Sequence, residues 1–204
     1  MPKTEEILNG LQGIVNNYPL IAILWHGVLF AFIIALIARW VPSGKLLILL
    51  MCLPALSVAI LAFITGNPFN GMLFSILAIL LLISGLRASD QPVETSKFVF
   101  MVFGIMMIIF GLIYPHFVSG GSIARYLYAS PVGLIPCPTL SLLIGFMLLF
   151  GGFGSQAASL TLIIFGMFYG LFGTLKLGVS IDIFLILGSI SLLVKYIMTL
   201  RGSV

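Results

Sequence analysis

The sequence has 204 residues, of which 61% are hydrophobic and only 7% are charged, and its formal net charge is +4 at pH 7. A soluble domain carries roughly 25% charged residues, so this composition excludes a soluble globular fold and predicts that lipid is the solvent. The basic residues form no cluster, so we expect no nucleic-acid partner. The two cysteines are far apart, which excludes a disulfide framework and a zinc motif.

Residues 1–18 predict an amphipathic helix that lies at the membrane interface. Thr4 can cap this helix, and Glu5 and Glu6 fall in its first turn, where the helix dipole favours negative charge. Pro19 ends the pattern. We therefore divide the chain into an interfacial helix, 1–18, and a single polytopic transmembrane domain, 19–204. The apolar face of the helix consists of Ile7, Leu8, Leu11, Ile14 and Val15.

Seven apolar runs follow, each roughly long enough to cross a bilayer. They predict an all-α integral membrane protein with about seven transmembrane helices. If the GSQA stretch between the fifth and sixth runs is a buried kink, those two runs form one bent unit, and six spans are the alternative. The runs cover residues 19–39, 46–65, 71–86, 98–115, 139–154, 157–175 and 180–199.

The basic residues also predict the orientation of the seven-span chain. Cytoplasmic loops carry the excess of lysine and arginine, and one side holds six basic residues against three on the other. We expect a multi-pass protein of the bacterial inner membrane, with its N-terminus outside and its C-terminus in the cytoplasm. The six are Arg39, Lys45, Arg87, Lys97, Lys195 and Arg201, and the three are Lys3, Arg125 and Lys176.

Residues 116–138 form the longest break between runs, and they are too apolar for a free loop. Non-helical backbone at membrane depth survives only when protein buries it or when it lines a wet cavity. We therefore expect this segment to insert partly into the outer end of the bundle before the fifth span. Pro138 suits the first turn of that span, which places Cys137 at the positive end of a helix and Thr139 just after it. Two interpretations of Cys137 stay open: a reactive or ligand-binding thiol, or a small packing residue at a helix start.

Four further polar residues are candidates for a pocket at the outer end. Asn67 precedes the third span, His116 follows the fourth, and Asp182 starts the last. His26 lies inside the first span, where an ionisable group is a functional candidate by default, although a hydrogen bond to a neighbouring helix is the alternative. The same side also collects Asn70, Tyr114, Arg125, Tyr126 and Lys176. The predicted pocket consists of Cys137, Thr139, His26, His116, Asn67 and Asp182.

Motifs for known catalytic centres and cofactors are absent from the sequence. It contains no HExxH, GxSxG or P-loop motif and no paired histidines for haem. No Asp or Glu lies well inside a predicted span, and Asp182, at the outer end of the last one, is the nearest, whereas a proton- or sodium-coupled transporter usually keeps such a carboxylate. We therefore predict no cofactor and no metal site, and we assign no catalytic residue.

A small-residue motif in the sixth run predicts close helix packing. Gly166 and Gly170 form a GxxxG motif, and Gly173 follows. Small residues let helix backbones approach in lipid, where packing replaces the hydrophobic effect. The motif suits either a tight intramolecular bundle or a homo-oligomer.

Several of these motifs together resemble an uncharacterised family of bacterial multi-pass membrane proteins, catalogued as a domain of unknown function. Its pattern has a YP pair before a loop, a G-x-x-PCPT signature, an asparagine–proline pair between the second and third spans, and a late LGV followed by an acid. The chain departs from it after Trp25, where His26 and Gly27 replace a proline and a glutamine. The resemblance implies a multi-span architecture in which Asn67, Cys137, Thr139 and Asp182 meet at the outer face, and it implies no activity. The matching residues are Tyr114, Pro115, Gly133, Pro136, Cys137, Pro138, Thr139, Asn67, Pro68, Leu177, Gly178, Val179 and Asp182.

Three functions fit these observations. The first is a permease or channel-like protein for a small solute or ion, with an outward vestibule near residues 116–139. The second is a non-catalytic accessory or assembly subunit that binds a membrane partner. The third is a membrane-embedded enzyme with Cys137 as nucleophile and His116 as base, and the near absence of catalytic motifs favours a protein that is not an enzyme.

Overall fold

The computed structural model describes residues 3–119, 124–151 and 155–202. Within these ranges the chain forms nine α-helices and one short antiparallel β-ladder. A π-helical turn (Phe172–Lys176) extends α8, and a 3-10 turn (Ser180–Asp182) precedes α9. The helices are α1 (Thr4–Asn17), α2 (Pro19–Ile37), α3 (Gly44–Ile64), α4 (Pro68–Arg87), α5 (Phe98–Ile113), α6 (Arg125–Ala129), α7 (Pro136–Leu149), α8 (Gln156–Leu171) and α9 (Ile183–Leu200), and the strands are β1 (Glu94–Thr95) and β2 (Phe150–Gly151).

Five of the described helices begin at residues that satisfy or remove the free backbone donors of a first turn. In α2, α4 and α7 the first residue is a proline, whose missing N–H would have had no helical partner there. In α3, α4 and α8 the capping side-chain oxygen accepts a hydrogen bond from a backbone N–H three residues on. The capping residues are Ser43, Asn67 and Ser155.

Five of the helices are long and apolar enough to cross a membrane: α2, α3, α4, α8 with its π-helical turn, and α9 with its 3-10 turn. Helices α5 and α7 are also apolar but have only 16 and 14 residues. Large apolar side chains stay exposed along the bundle, with Leu20 and Leu175 at 78%. Lipid solvates such a surface, whereas water does not. The prediction of an all-α membrane protein is therefore confirmed as a fold class, with five candidate membrane-spanning helices among the described residues.

The turns between helices gather at two opposite ends of the bundle. At the first, which we call the β-pair end, β1 pairs antiparallel with β2, and Lys45 forms an ion pair with Asp90 at 3.4 Å. The second, which we call the cavity end, holds the segment that leads into α7. The β-pair end consists of residues 38–45, 88–97 and 149–151, and the cavity end of residues 65–70, 114–119, 124–137 and 172–182.

Helix α7 lies at the centre of the bundle, and 12 of its 14 residues are buried. It packs against α3, α5, α8 and α9. The contact with α5 is backbone to backbone: a Cβ atom on Gly104 would lie 2.8 Å from the carbonyl oxygen of Gly145. A Cβ atom on Gly111 would lie 2.7 Å from the carbonyl oxygen of Pro138. Glycine is therefore what lets α5 and α7 approach this closely.

Helix α1 forms where the amphipathic pattern predicts it, and it packs on the cavity end. Its inner face joins a cluster with residues of α2, α3 and the segment before α7. The Nδ2 atom of Asn16 donates to the carbonyl oxygen of Phe117 at 2.9 Å, and its Oδ1 atom accepts from the N–H of Ser119 at 2.9 Å. The apolar face therefore contacts the protein through Leu11, Ile14 and Val15.

The segment before α7 folds onto the bundle, as its apolar composition suggests. Within residues 124–135, α6 and the turn after it bury Val132 and Leu134 almost completely. Helix α7 then starts at Pro136, slightly earlier than expected. It is separate from α8, and residues 152–154, which include the expected end of the fifth run and the first residue of GSQA, lie outside the described residues.

Candidate functional site

A cavity of about 250 Å³ lies at the cavity end, between α1 and the ends of α4, α7, α8 and α9. Ile7 and Leu11 of α1 form part of its wall. Most of the lining is apolar, so the polar groups stand out as the ones able to orient a ligand. They are Asn67, Asn70, Cys137, Tyr169, Lys176 and Asp182.

Asp182 connects four elements around this cavity. Its side chain is 2% exposed, and both carboxylate oxygens accept hydrogen bonds. The hydroxyl of Tyr114, at the end of α5, donates to Oδ1 at 2.7 Å, and the thiol of Cys137, in the first turn of α7, donates to Oδ2 at 3.1 Å. Gly173, in the π-helical turn after α8, lets the carboxylate approach, because a Cβ atom there would collide with it.

The thiol of Cys137 is a hydrogen-bond donor in this arrangement. It lines the cavity and is partly exposed. Its one side-chain partner among the described residues is the carboxylate of Asp182. A thiol that donates to a carboxylate is protonated, whereas a nucleophilic cysteine requires the thiolate. The geometry therefore places Cys137 in the cavity wall as a hydrogen-bond donor to Asp182.

Two asparagines at the start of α4 form another part of the wall. The Oδ1 atom of Asn67 accepts from the N–H of Asn70 at 3.2 Å and so caps the helix. The Oδ1 atom of Asn70 accepts from the hydroxyl of Tyr169, in α8, at 3.0 Å. Sequence reasoning missed Tyr169, although a tyrosine beside a GxxxG motif is a sign of a buried hydroxyl that needs a partner.

Thr139 does not line the cavity. Its hydroxyl accepts from the N–H of Gly133 at 2.9 Å and donates to the carbonyl oxygen of Ile135 at 2.8 Å. Gly133 has a φ of +74°, a conformation that favours glycine. Its carbonyl oxygen accepts from Ser57, which in turn accepts from the indole N–H of Trp25. Thr139 thus fixes the turn that leads into α7.

His26 does not line the cavity either. It is 2% exposed, and its two ring nitrogens lie 2.9 Å from the carbonyl oxygens of Ala22 and Leu112. Leu112 is in the last turn of α5, where carbonyl groups lack helical partners. The ring of His26 therefore lies between α2 and α5, with a ring nitrogen at hydrogen-bond distance from a carbonyl oxygen of each, which agrees with the alternative to a pocket role.

His116 is also outside the cavity lining. Its ring packs edge-on against Phe117, with 4.2 Å between the ring centres. Partial burial lowers the pKa of His116, because the charged form loses hydration. Of the six residues predicted for the pocket, the structure brings Asn67, Cys137 and Asp182 together, and places Thr139, His26 and His116 elsewhere.

Lys195 is a second polar centre, which sequence reasoning assigned to an ordinary flanking position. It is only 7% exposed and lies near the β-pair end. Its ammonium group donates to the hydroxyl of Ser96 at 2.6 Å and to the carbonyl oxygens of Met147 at 2.6 Å and Phe150 at 2.5 Å. Lys195 therefore caps the C-terminus of α7, where the helix dipole favours a cation.

The helix-packing glycines lie between α8 and α9. A Cβ atom on Gly166 would collide with Ser189, and one on Gly170 would lie 2.7 Å from Ile186. Gly173 admits the carboxylate of Asp182. The GxxxG motif thus serves packing within this chain and helps to bring Asp182 to the cavity.

The chain matches no protein-family model, no curated protein and no solved structure. The resemblance to a family of unknown function therefore stays an expectation from the sequence. Within the described residues, no group of three or more His, Cys, Asp or Glu side chains is placed to hold a metal ion.

Proposed function

We propose that this protein is a membrane permease for a small solute, which binds in the cavity beside Asp182. The observation that carries the proposal is a ligand-sized cavity with a buried carboxylate at its wall, in a bundle of apolar helices. Intramembrane carboxylates are costly, and they often mark substrate pathways.

The short central helix supports the same function. Helix α7 has 14 residues, which span about 21 Å, whereas a hydrocarbon core is about 30 Å thick. At least one end of α7 therefore lies at membrane depth if the bundle crosses the bilayer. Transporters place substrate sites at such helix ends near the midplane.

The topology that accompanies this function has seven crossings, by α2, α3, α4, α5, α7, α8 and α9. Five basic residues besides the buried Lys195 lie at or next to the β-pair end, against three at the cavity end. By the positive-inside rule the β-pair end is cytoplasmic, the N-terminus is outside, and the cavity faces outward from a bacterial inner membrane. Helix α1 then covers the cavity from the outer interface.

The test is solute flux in proteoliposomes, measured by stopped-flow light scattering with acetate, glycine, methylammonium, urea and glycerol. A Cys52→Ser protein retains only Cys137, and a Cys137→Ser protein retains only Cys52. We expect flux of at least one solute above the lipid baseline. A maleimide should block it in the Cys52→Ser protein and leave it unchanged in the matched Cys137→Ser control.

Absence of flux for every solute, with folded protein in the vesicles, would contradict the permease. If a second membrane protein also co-purified with the chain in mild detergent at fixed stoichiometry, the accessory-subunit role would replace it. If flux continued after Cys137 was modified, the solute pathway would not pass through this cavity.

A further inference from the structure

The hydrogen-bonding groups that remain free in the cavity are donors. Asn70 is only 7% exposed, and its Oδ1 atom is bonded to Tyr169, yet its Nδ2 atom has no hydrogen-bond partner among the described residues. The same holds for the Nδ2 atom of Asn67, whose oxygen caps α4. The ammonium group of Lys176, at the rim, also lacks a partner within the described part of the chain.

Helix ends add to this donor character. Helices α4 and α7 both begin at the cavity wall, with Asn67 as the cap of one and Pro136 as the first residue of the other. The N-terminus of a helix carries partial positive charge and favours an anion. The Nδ2 atom of Asn70, which has no partner among the described residues, lies in the first turn of α4 and therefore adds a donor to this field.

The carboxylate of Asp182 is already committed to the protein. Its two oxygens accept from Tyr114 and Cys137, and its side chain is 2% exposed. A cationic ligand would have to compete with both donors. Lys176 and Asp182 are the charged residues of the described lining. Because the carboxylate of Asp182 already accepts two hydrogen bonds, the ammonium group of Lys176 is the charged group left to meet a ligand.

We propose that the cavity binds a small aliphatic monocarboxylate, with its carboxylate at Asn70, Asn67 and Lys176. This inference rests on the permease proposal for its biological role and on the donor set for its chemistry. The rest of the wall is apolar and suits an alkyl chain, through Ile7, Leu11, Phe117, Phe172, Leu177 and Val179. The volume of about 250 Å³ favours a short chain over a long one.

The test compares ligands of one shape with different head groups on the purified full chain in nanodiscs. Butyrate, butyramide, butanol, butylamine and 4-aminobutyrate are titrated, and binding is measured by isothermal titration calorimetry. We expect saturable binding of butyrate, with the other four at least tenfold weaker. Preferential binding of butylamine or 4-aminobutyrate would overturn the inference, because Asp182 would then be the ligand-binding group.

Variants test the assigned donors. Asn70→Asp keeps the shape and the acceptor for Tyr169 but replaces the free donor by a carboxylate oxygen, and Lys176→Met removes an exposed charge at the rim. Each should weaken butyrate binding at least tenfold. Arg87→Met changes an exposed basic residue at the far end of α4 and is the matched control. Unchanged binding in Lys176→Met and in folded Asn70→Asp would overturn the inference.

A chain-length series identifies the source of the acid. The affinities of acetate, propionate, butyrate, hexanoate and decanoate are compared. If one of the first four binds most tightly, the ligand is a soluble short-chain acid, and if decanoate binds most tightly, the ligand is a lipid-derived acid. Because calorimetry needs no transport, the two proposals fail separately. Butyrate binding without flux would contradict the permease proposal and support the carboxylate site. Flux of another solute without carboxylate binding would support the permease and contradict the carboxylate site.

Discussion

Thr139 is the residue whose hydroxyl holds the turn at the start of α7. It is fully buried and has a donor on one side and an acceptor on the other. Thr139→Val keeps the volume but leaves the N–H of Gly133 without its partner. We expect a loss of about 1–3 kcal/mol in the free energy of unfolding, seen as a lower melting temperature in detergent. Thr161→Val is the control, because that hydroxyl only donates to a carbonyl in its own helix, and an equal effect of both substitutions would contradict this role.

Lys195 is the residue that closes the opposite end of α7. Lys195→Met keeps an unbranched side chain but leaves three backbone carbonyl groups and the Ser96 hydroxyl without their donor. Unpaired buried acceptors cost about 1–3 kcal/mol, so we expect the melting temperature to fall. Arg201→Met changes an exposed basic residue at the end of the same helix and should have little effect. A Lys195→Met protein as stable as the wild type would show that relief from burying the charge offsets the lost hydrogen bonds.

At the scale of whole helices, the packing of α5 against α7 depends on glycine. A Cβ atom on Gly104 would lie 2.7 Å from the backbone nitrogen of Leu149, and backbone cannot move as a flexible side chain can. Gly104→Ala should therefore push the helices apart and cost about 1–3 kcal/mol, the usual effect of overpacking. Gly27→Ala is the matched control within a helix, because nothing lies within 4 Å of its Cβ position. Equal melting temperatures for the two variants would contradict this packing.

The elements themselves could be predicted well from the sequence, and their contacts could not. Proline and capping residues mark helix starts locally, so the beginnings of α2, α4 and α7 follow from the nearby sequence. The spans are apolar on every side, however, so no polar face shows which helix each one meets. That is why Asp182 and Cys137 were predicted to share a pocket, whereas the hydrogen bonds from Tyr114 and Cys137 to the carboxylate were not foreseen. The burial of Lys195 was missed for the same reason, because a lysine near a span end usually reaches water.

The permease proposal requires, at the scale of the whole molecule, that the cavity end and the β-pair end lie on opposite sides of the membrane. Single cysteines test this in a background with Cys52→Ser and Cys137→Ser. Ser180→Cys reports the cavity end, Glu5→Cys reports α1, and Gln91→Cys reports the β-pair end, all at exposed positions. On intact bacterial cells, we expect a membrane-impermeant maleimide to label Ser180→Cys and Glu5→Cys. We expect it to label Gln91→Cys only after the cells are permeabilised.

The pattern of labelling distinguishes between possible orientations of the bundle in the membrane. Labelling of Gln91→Cys alone would reverse the orientation, so that the cavity faces the cytoplasm and the charge count of five against three fails as a guide. Labelling of all three in intact cells would put both ends on one side and contradict an odd number of crossings between α1 and Gln91. The expected pattern requires that α2, α3 and α4 together cross the membrane an odd number of times. Five crossings and seven crossings both satisfy this requirement, because the short helices α5 and α7 lie after Gln91 and add two crossings together.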